Sequence, residues 1–242
     1  MATTNLIALI TGANRGLGFE LARALARDYG FHVLLGSRSA EAGDAAAKKL
    51  QGEGLSVESI AISLTDDNLI TAAAEEVKNK YGRLDILVNN AAISIDIKHP
   101  GPQRELFKET FDTNVYGHAA VTDAFIPLLE KSTLPRLVFL SSKLGSIADR
   151  LDEKSVYDPV GVFVYRTSKA ALNMVAAQYA RKYREKGWKV NVVCPGWVKT
   201  DMNDGNGAIT TEEAMPNIVR LCTLGADGES GTWTDPYGPV PW

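Results

Sequence analysis

Thr11-Gly12-Ala13-Asn14-Arg15-Gly16-Leu17-Gly18 follows the apolar run Leu6 to Ile10 and opens a segment in which Leu17, Leu21 and Leu25 recur at helical spacing. Strand, glycine turn, helix is the context in which glycines so spaced read as a dinucleotide fingerprint. Each glycine has a physical task. Gly12 permits a sharp turn after the strand, and Gly16 lets backbone N–H groups approach a pyrophosphate. Gly18 brings the helix close to the sheet, and the helix N-terminus presents its partial positive charge to phosphates. An ordinary glycine-rich strand-to-helix loop has the same composition, so the rest of the chain decides.

Outward from this stretch, apolar runs alternate with helical patterns. Phe31 to Leu35 reads as a second strand, ending at Gly36-Ser37-Arg38-Ser39, and an Ala-rich helix spans about Ala40 to Leu50. Val57 to Leu64 is a third strand. Thr65-Asp66-Asp67 then caps a helix whose Ile70, Ala73, Val77 and Tyr81 form one stripe. Asp85 to Val88 runs into Asn89-Asn90-Ala91-Ala92. Pro100-Gly101-Pro102 marks a loop, and a long helix from about Gln103 carries Phe107, Phe111 and Val115. Arg136 to Leu140 is strand five, Tyr165 to Glu185 a helix, and Lys189 to Cys194 strand six. A helix near Glu212 to Leu221 and a short strand around Gly231 to Trp233 close the chain. Six or seven strands alternating with helices predict a single doubly wound α/β domain over 1–242, Rossmann-type, with a parallel sheet covered on both faces. Ligands are expected at the carboxyl ends of its strands.

Composition narrows the classes. The 242 residues are 45% hydrophobic, enough for a sizeable core. A net charge of −3 argues against a general nucleic-acid or anionic-membrane binder. No apolar run approaches the ~20 residues of a membrane span. The start, Met1-Ala2-Thr3-Thr4-Asn5, carries no basic leader, and Cys194 and Cys222 are the only cysteines. Both point to a reducing, cytoplasmic setting. No metal-ligand spacing is read in the chain.

Chemistry gathers on the helix after strand five. Tyr165 and Lys169 stand four residues apart, hence on one face. A tyrosine needs a pKa drop of about 3 units, roughly 4 kcal/mol, to exchange protons near neutrality. A cation ~4 Å away at an effective dielectric of ~20 supplies about that much. Tyr165 then reads as a general acid toward a carbonyl oxygen, or a base toward an alcohol. Ser142, at the end of strand five, can hydrogen-bond the same oxygen; capping a turn is its plainer role. Asn114 lies on an apolar helix face, where a buried amide needs partners. It either contacts backbone and bends the helix or links to a proton relay.

Thr11-Gly12-x-x-x-Gly16-x-Gly18, Asn89-Asn90-Ala91, Asn114, Ser142, Tyr165-x-x-x-Lys169 and Pro195-Gly196 together resemble the short-chain dehydrogenase/reductase superfamily, from strand one to about Thr200. The resemblance implies that Tyr165 exchanges the proton. It implies that Lys169 depresses the Tyr165 pKa and bonds the nicotinamide ribose, that Ser142 positions the substrate carbonyl, and that Asn114 holds a relay water. It implies cofactor contacts from Gly12, Asn14, Arg15, Gly16, Leu17 and Gly18, from Asn90 and Ala91, and from Pro195, Gly196, Val198 and Thr200. Two departures stand out. Ser142 and Tyr165 are separated by the 22 residues from Lys143 to Val164, a charged excursion similar to insertions in the carbonyl-reductase-like branch. At the end of strand three, Ser63-Leu64 replaces the usual acid near the adenine, leaving the Leu64 backbone for that contact.

NAD-preferring sites place an acid about 20 residues past the glycines, on the ribose 2′-OH. Here Ser37 and Arg38 occupy that position, and a guanidinium binds a 2′-phosphate bidentately. Arg15 adds a second cation, so NADP(H) is the expected cofactor. The reading is an NADPH-dependent carbonyl reductase acting on a ketone or aldehyde, reversible as an alcohol dehydrogenase. A hydroxysteroid-type dehydrogenase, a polyketide-type ketoreductase and a non-catalytic NADP(H)-binding regulator are the alternatives. Substrate contacts are expected from the Ser94 to His99 loop, the 143–164 insertion and the glycine-rich 201–208 loop, which is either a lid or a connector. Trp233, Tyr237 and Trp242 either cover the substrate cleft or pack the edge of the core, with packing the favoured reading. Oligomeric state stays open between a monomer and a dimer or tetramer, with no nucleic-acid or membrane partner.

Overall fold

The structure, a computed structural model, describes residues 5–96 and 103–242. Pro100-Gly101-Pro102 and the end of the Ser94 to His99 loop lie outside the described residues. The chain runs β1 (Ile7–Ile10), α1 (Gly16–Tyr29), β2 (His32–Ser37), α2 (Ala40–Gly52), β3 (Val57–Ala61), α3 (Asp67–Tyr81) and β4 (Ile86–Asn89). It continues through α4 (Gln103–Phe111), α5 (Gly117–Leu129), β5 (Arg136–Leu140), α6 (Ile147–Leu151) and α7 (Phe163–Tyr183). The last elements are β6 (Lys189–Val193), α8 (Thr211–Cys222), β7 (Trp233–Asp235) and β8 (Gly238–Pro239).

The strands form one sheet in the order β3-β2-β1-β4-β5-β6-β7-β8. Every pairing is parallel except β7 with β8. The expected six or seven strands become eight because Gly238–Pro239 folds back on β7, a pairing too short to leave a periodic signal. Order reverses between β1 and β4, so their carboxyl ends part to either side of the crevice where such sheets bind ligands.

Alternation along β1 feeds two cores. Ala8 and Ile10 pack with Leu21 and Leu25 of α1, Leu50 of α2 and Ile218 of α8. Ile7 and Leu9 face Val77 of α3, Phe125 of α5 and Leu172 of α7. Beneath the opposite, amino-terminal edge, buried Asp85 accepts from the Ile7 N–H (2.9 Å), the Ser132 hydroxyl (2.7 Å) and Arg83 (3.1 Å).

The predicted long helix from Gln103 is divided. Residues Asp112–Tyr116 form a π-helical turn, closed by the Gly117 N–H on the Asp112 carbonyl, between α4 and α5. Such turns insert one extra residue into the helical ladder. Helical periodicity persists on both sides, which hides the break from a reading of the pattern. Other boundaries shift by a few residues: the third strand stops at Ala61, and the second runs on through Ser37.

Phe125 is fully buried in the core shared by α3, α5 and α7. Phe125→Ala is expected to lower unfolding free energy by about 3–5 kcal/mol, from lost transfer energy plus a cavity. A urea titration should show a lower midpoint at unchanged slope.

Candidate active site

The glycine turn fits a dinucleotide. Gly16 has φ +58, in the left-handed region, and open space where a side chain would stand. The N-terminus of α1 has no side-chain cap, so its free N–H groups face outward as an anion site. A Cβ on Gly18 would lie 2.7 Å from the Asn90 amide nitrogen and 2.8 Å from the Ala13 Cα. Only a glycine lets α1 sit so close to the sheet.

Thr11, quoted in the motif without a task of its own, proves to hold the turn. Its hydroxyl oxygen accepts from the Asn90 N–H (3.0 Å) and the Ala91 N–H (3.1 Å). Asn90 returns its amide to the Thr11 and Gly12 carbonyls at 2.7 and 3.2 Å. The ends of β1 and β4 are thereby stapled across the switch point. Behind them, Asn89 donates to Thr122 (3.0 Å), and His118 bonds the Asn89 side chain (3.1 Å) and the Ala91 carbonyl (2.7 Å). Asn89 and His118 went unassigned in the sequence. The available signal was His118 four residues beyond Asn114, on the same helical face.

Asn114 sits in the π-helical turn, fully buried. Its oxygen accepts from the Ile93 N–H (2.9 Å), and its amide donates to the Ile93 carbonyl (2.8 Å) and the Ser168 hydroxyl (3.1 Å). Ser168 in turn donates to the Tyr165 carbonyl (2.7 Å). The backbone contact and the link toward the tyrosine thus coexist.

Ser142, Tyr165 and Lys169 meet at the end of β5. Ser142 caps the turn Lys143–Gly145 by accepting from the Leu144 N–H (3.3 Å), its plainer role, and acts on the Tyr165 phenol to lower its proton affinity. Lys169, 2% exposed, donates to the Leu140 carbonyl (2.9 Å), and its ammonium lies 5.7 Å from the centre of the Tyr165 ring. Here the expected electrostatics is corrected. Burial pushes the Tyr165 phenol well above its ordinary value, with the Cys194 thiol adding to the rise and Ser142 opposing it. Burial also lowers Lys169 to about 8. The predicted fall of the phenol toward neutrality ignored desolvation, which sequence spacing does not report.

Ser37 is buried and donates to the Ser39 carbonyl (2.8 Å), while Arg38 is exposed just before Ser39, the cap of α2. Asn14 and Leu17 are partly exposed beside the open Gly16. Arg15 pairs with Asp201 at 3.1 Å, both about 70% exposed, joining the glycine turn to the loop after β6. Leu64 is buried, with its carbonyl against Gly117. Pro195 and Gly196 lead to Val198, which bridges to Ile209. Thr200 then begins the turn Asp201–Asn203, whose Asn203 accepts from the Thr200 N–H (3.1 Å) and donates to the Val198 carbonyl (2.9 Å). The 201–208 loop is therefore folded on itself rather than a loose connector.

The 143–164 insertion is less uniformly polar at its surface than its charges suggested. Ile147, Leu151 and Val156 are all exposed, and α6 interrupts it. Arg166, missed in the sequence, pins it by donating to the Val160 and Leu144 carbonyls (3.0 and 3.3 Å) and to the Tyr157 carbonyl. Trp233 is buried against Trp242, as core-edge packing requires, but Tyr237 is 84% exposed. A cleft lined by Arg104, Phe107, Phe111 and Tyr116 lies on the outer side of α4 and contains none of the residues assigned here.

The fold and this arrangement define a nicotinamide-dependent oxidoreductase of the Rossmann type. The chain belongs to the short-chain dehydrogenase family, whose model matches residues 6–208. A short-chain dehydrogenase of Penicillium roqueforti is 37% identical, over 94% of this chain and 92% of its own. Carbonyl reductase [NADPH] 1 of Sus scrofa is 31% identical, over 95% and 91%. The NADPH-bound carbonyl reductase from chicken fatty liver superposes with a TM-score of 0.83 at 27% identity, covering 99% of this chain and all of that one. Among the described residues, no helix is long and apolar enough to cross a membrane.

Buried His118 is held down to about 3 from an ordinary 6.5, chiefly by desolvation and then by the Lys169 charge. A depressed group favours folding fully above the unfolded value and loses that contribution as pH falls toward the folded one. Wild type should therefore lose up to about 5 kcal/mol between pH 6.5 and 3 from this group. In His118→Gln that component is expected to vanish, seen as a flatter stability–pH curve in parallel denaturant titrations.

Proposed function

We propose that the protein is an NADPH-dependent carbonyl reductase acting on a ketone or aldehyde, with Tyr165 as proton donor. The observation that carries this reading is the cluster of half-buried Ser142 and Tyr165 with buried Lys169, beside an open, uncapped helix N-terminus. A phenol held above its ordinary pKa keeps its proton throughout the neutral range, as a donor must. The nicotinamide cofactor supplies the hydride when bound. Tyr165 gives its proton to the carbonyl oxygen, and the Ser142 hydroxyl donates to the same oxygen as negative charge develops there. Lys169, with its ammonium over the ring face, favours the phenolate left behind. Asn114 holds the segment at Ile93 against α7 and keeps the cleft in register.

Preference for NADP(H) rests on Arg38 and Arg15 and on the absence of an acid at the end of β2. The pig and chicken relatives, named for NADPH, support it. Arg15 would exchange its exposed partner Asp201 for the 2′-phosphate, at small cost for so solvated a pair.

Two measurements test this reading. Titration of intrinsic fluorescence should show NADPH binding far more tightly than NADH. Arg38→Glu should weaken NADPH about 10-fold or more, the loss of a charge-assisted contact. In a 340 nm assay across ketones and aldehydes, Tyr165→Phe should cut kcat by about 10²–10⁴ with NADPH affinity retained. Equal binding of NADH, or full turnover by the variant, would refute the assignment.

A further inference from the structure

Val162, which precedes α7, provides no side-chain cap. The cap comes instead from 68 residues upstream. Asp96, six residues beyond Asn90, accepts from the Val164 N–H at 2.8 Å and from the Tyr165 N–H at 3.2 Å, both through Oδ2. Its Oδ1 is enclosed and has no hydrogen-bond partner among the described residues. The carboxylate thus grips the backbone of the proposed proton donor itself, with its second oxygen shut away from the water that would otherwise screen it.

We propose that Asp96 is a positioning residue for proton transfer, anchoring Tyr165 at the head of α7 and using its charge to keep the phenol protonated. The inference rests on the reading of Tyr165 as the acid. A carboxylate at a helix N-terminus is well placed for the helix, and it is also a like charge to any phenolate formed nearby. Four described groups act on that phenol, from four parts of the fold. Cys194 after β6 and Asp96 after β4 raise its proton affinity, Ser142 after β5 opposes them, and the Lys169 ammonium stands over the ring from α7. Asp96 is the one among these that also fixes the Tyr165 backbone. The tie runs in parallel with the one from Ile93 through Asn114 and Ser168 to the Tyr165 carbonyl. The segment 93–96 therefore holds Tyr165 by both its N–H and its C=O.

The test separates charge from capping. Asp96→Asn keeps an acceptor oxygen for the two N–H groups and removes the charge, whereas Asp96→Glu keeps the charge. Phenolate absorbance at 295 nm is read as the difference between each protein and its Tyr165→Phe counterpart, so that one tyrosine of the eight is followed. The Asn variant should ionise Tyr165 at lower pH than wild type, by about half a unit or more. Its alkaline limb for carbonyl reduction should move to lower pH by the same amount, because reduction needs the protonated phenol. The Glu variant should restore both toward wild type. If Asn and wild type ionise Tyr165 at the same pH and differ only in melting temperature, Asp96 is a helix cap and the proposal fails. Full turnover by Tyr165→Phe would instead overturn the proton-donor reading, while the absorbance titration still reports on Asp96.

Discussion

The Thr11 hydroxyl, accepting from the Asn90 and Ala91 N–H groups, joins the carboxyl ends of β1 and β4 where the sheet order reverses. Parallel strands end in unpaired backbone donors, and at a switch point no third strand is there to receive them. One side-chain oxygen meets two of those donors and sets the separation of the two turns. The glycine turn then lies against Ala91, Asn90 fills the gap under Gly18, and His118 and Asn89 brace the arrangement from behind. Each of these contacts depends on the strand ends being at that spacing.

On the far side of β4 the same economy recurs. The short stretch from Asn90 to Asp96 is held to β1 by Thr11, to the π-helical turn by Asn114, and to α7 by Asp96. It thus spans from the cofactor side to the proposed acid. Lys169 is buried and Tyr165 half-buried, and desolvation lowers the proton affinity of the first and raises that of the second. Desolvation disfavours charge on both, yet at about 8 Lys169 still carries its proton near neutral pH while the Tyr165 phenol stays neutral.

Much of the architecture was legible because it is written in local pattern. The apolar runs at β1, β2, β4, β5 and β6 and the helical stripes between them needed only period and turn chemistry to be read. Tyr165 and Lys169 were found by helical spacing, and the glycine turn by its place after a strand. The π-helical turn at Asn114 escaped because one inserted residue barely disturbs a helical stripe. The pairing of β8 with β7 escaped because two residues carry no period. Thr11, His118, Asp96 and Arg166 were not assigned their roles, since each acts on a backbone group distant in sequence or on a neighbouring loop.

The sequence by itself determined the class of fold, the order of the elements and the identity of the groups able to exchange a proton. These follow from side-chain type and spacing along one chain segment, over which backbone geometry is set by steric rules alone. The tertiary structure alone decided how strongly those groups hold their protons. It also decided which backbone atoms anchor them and which surface charges pair. Burial and long-range contact set the local dielectric and the partners of each charge, and both come from segments that approach only when the sheet has formed.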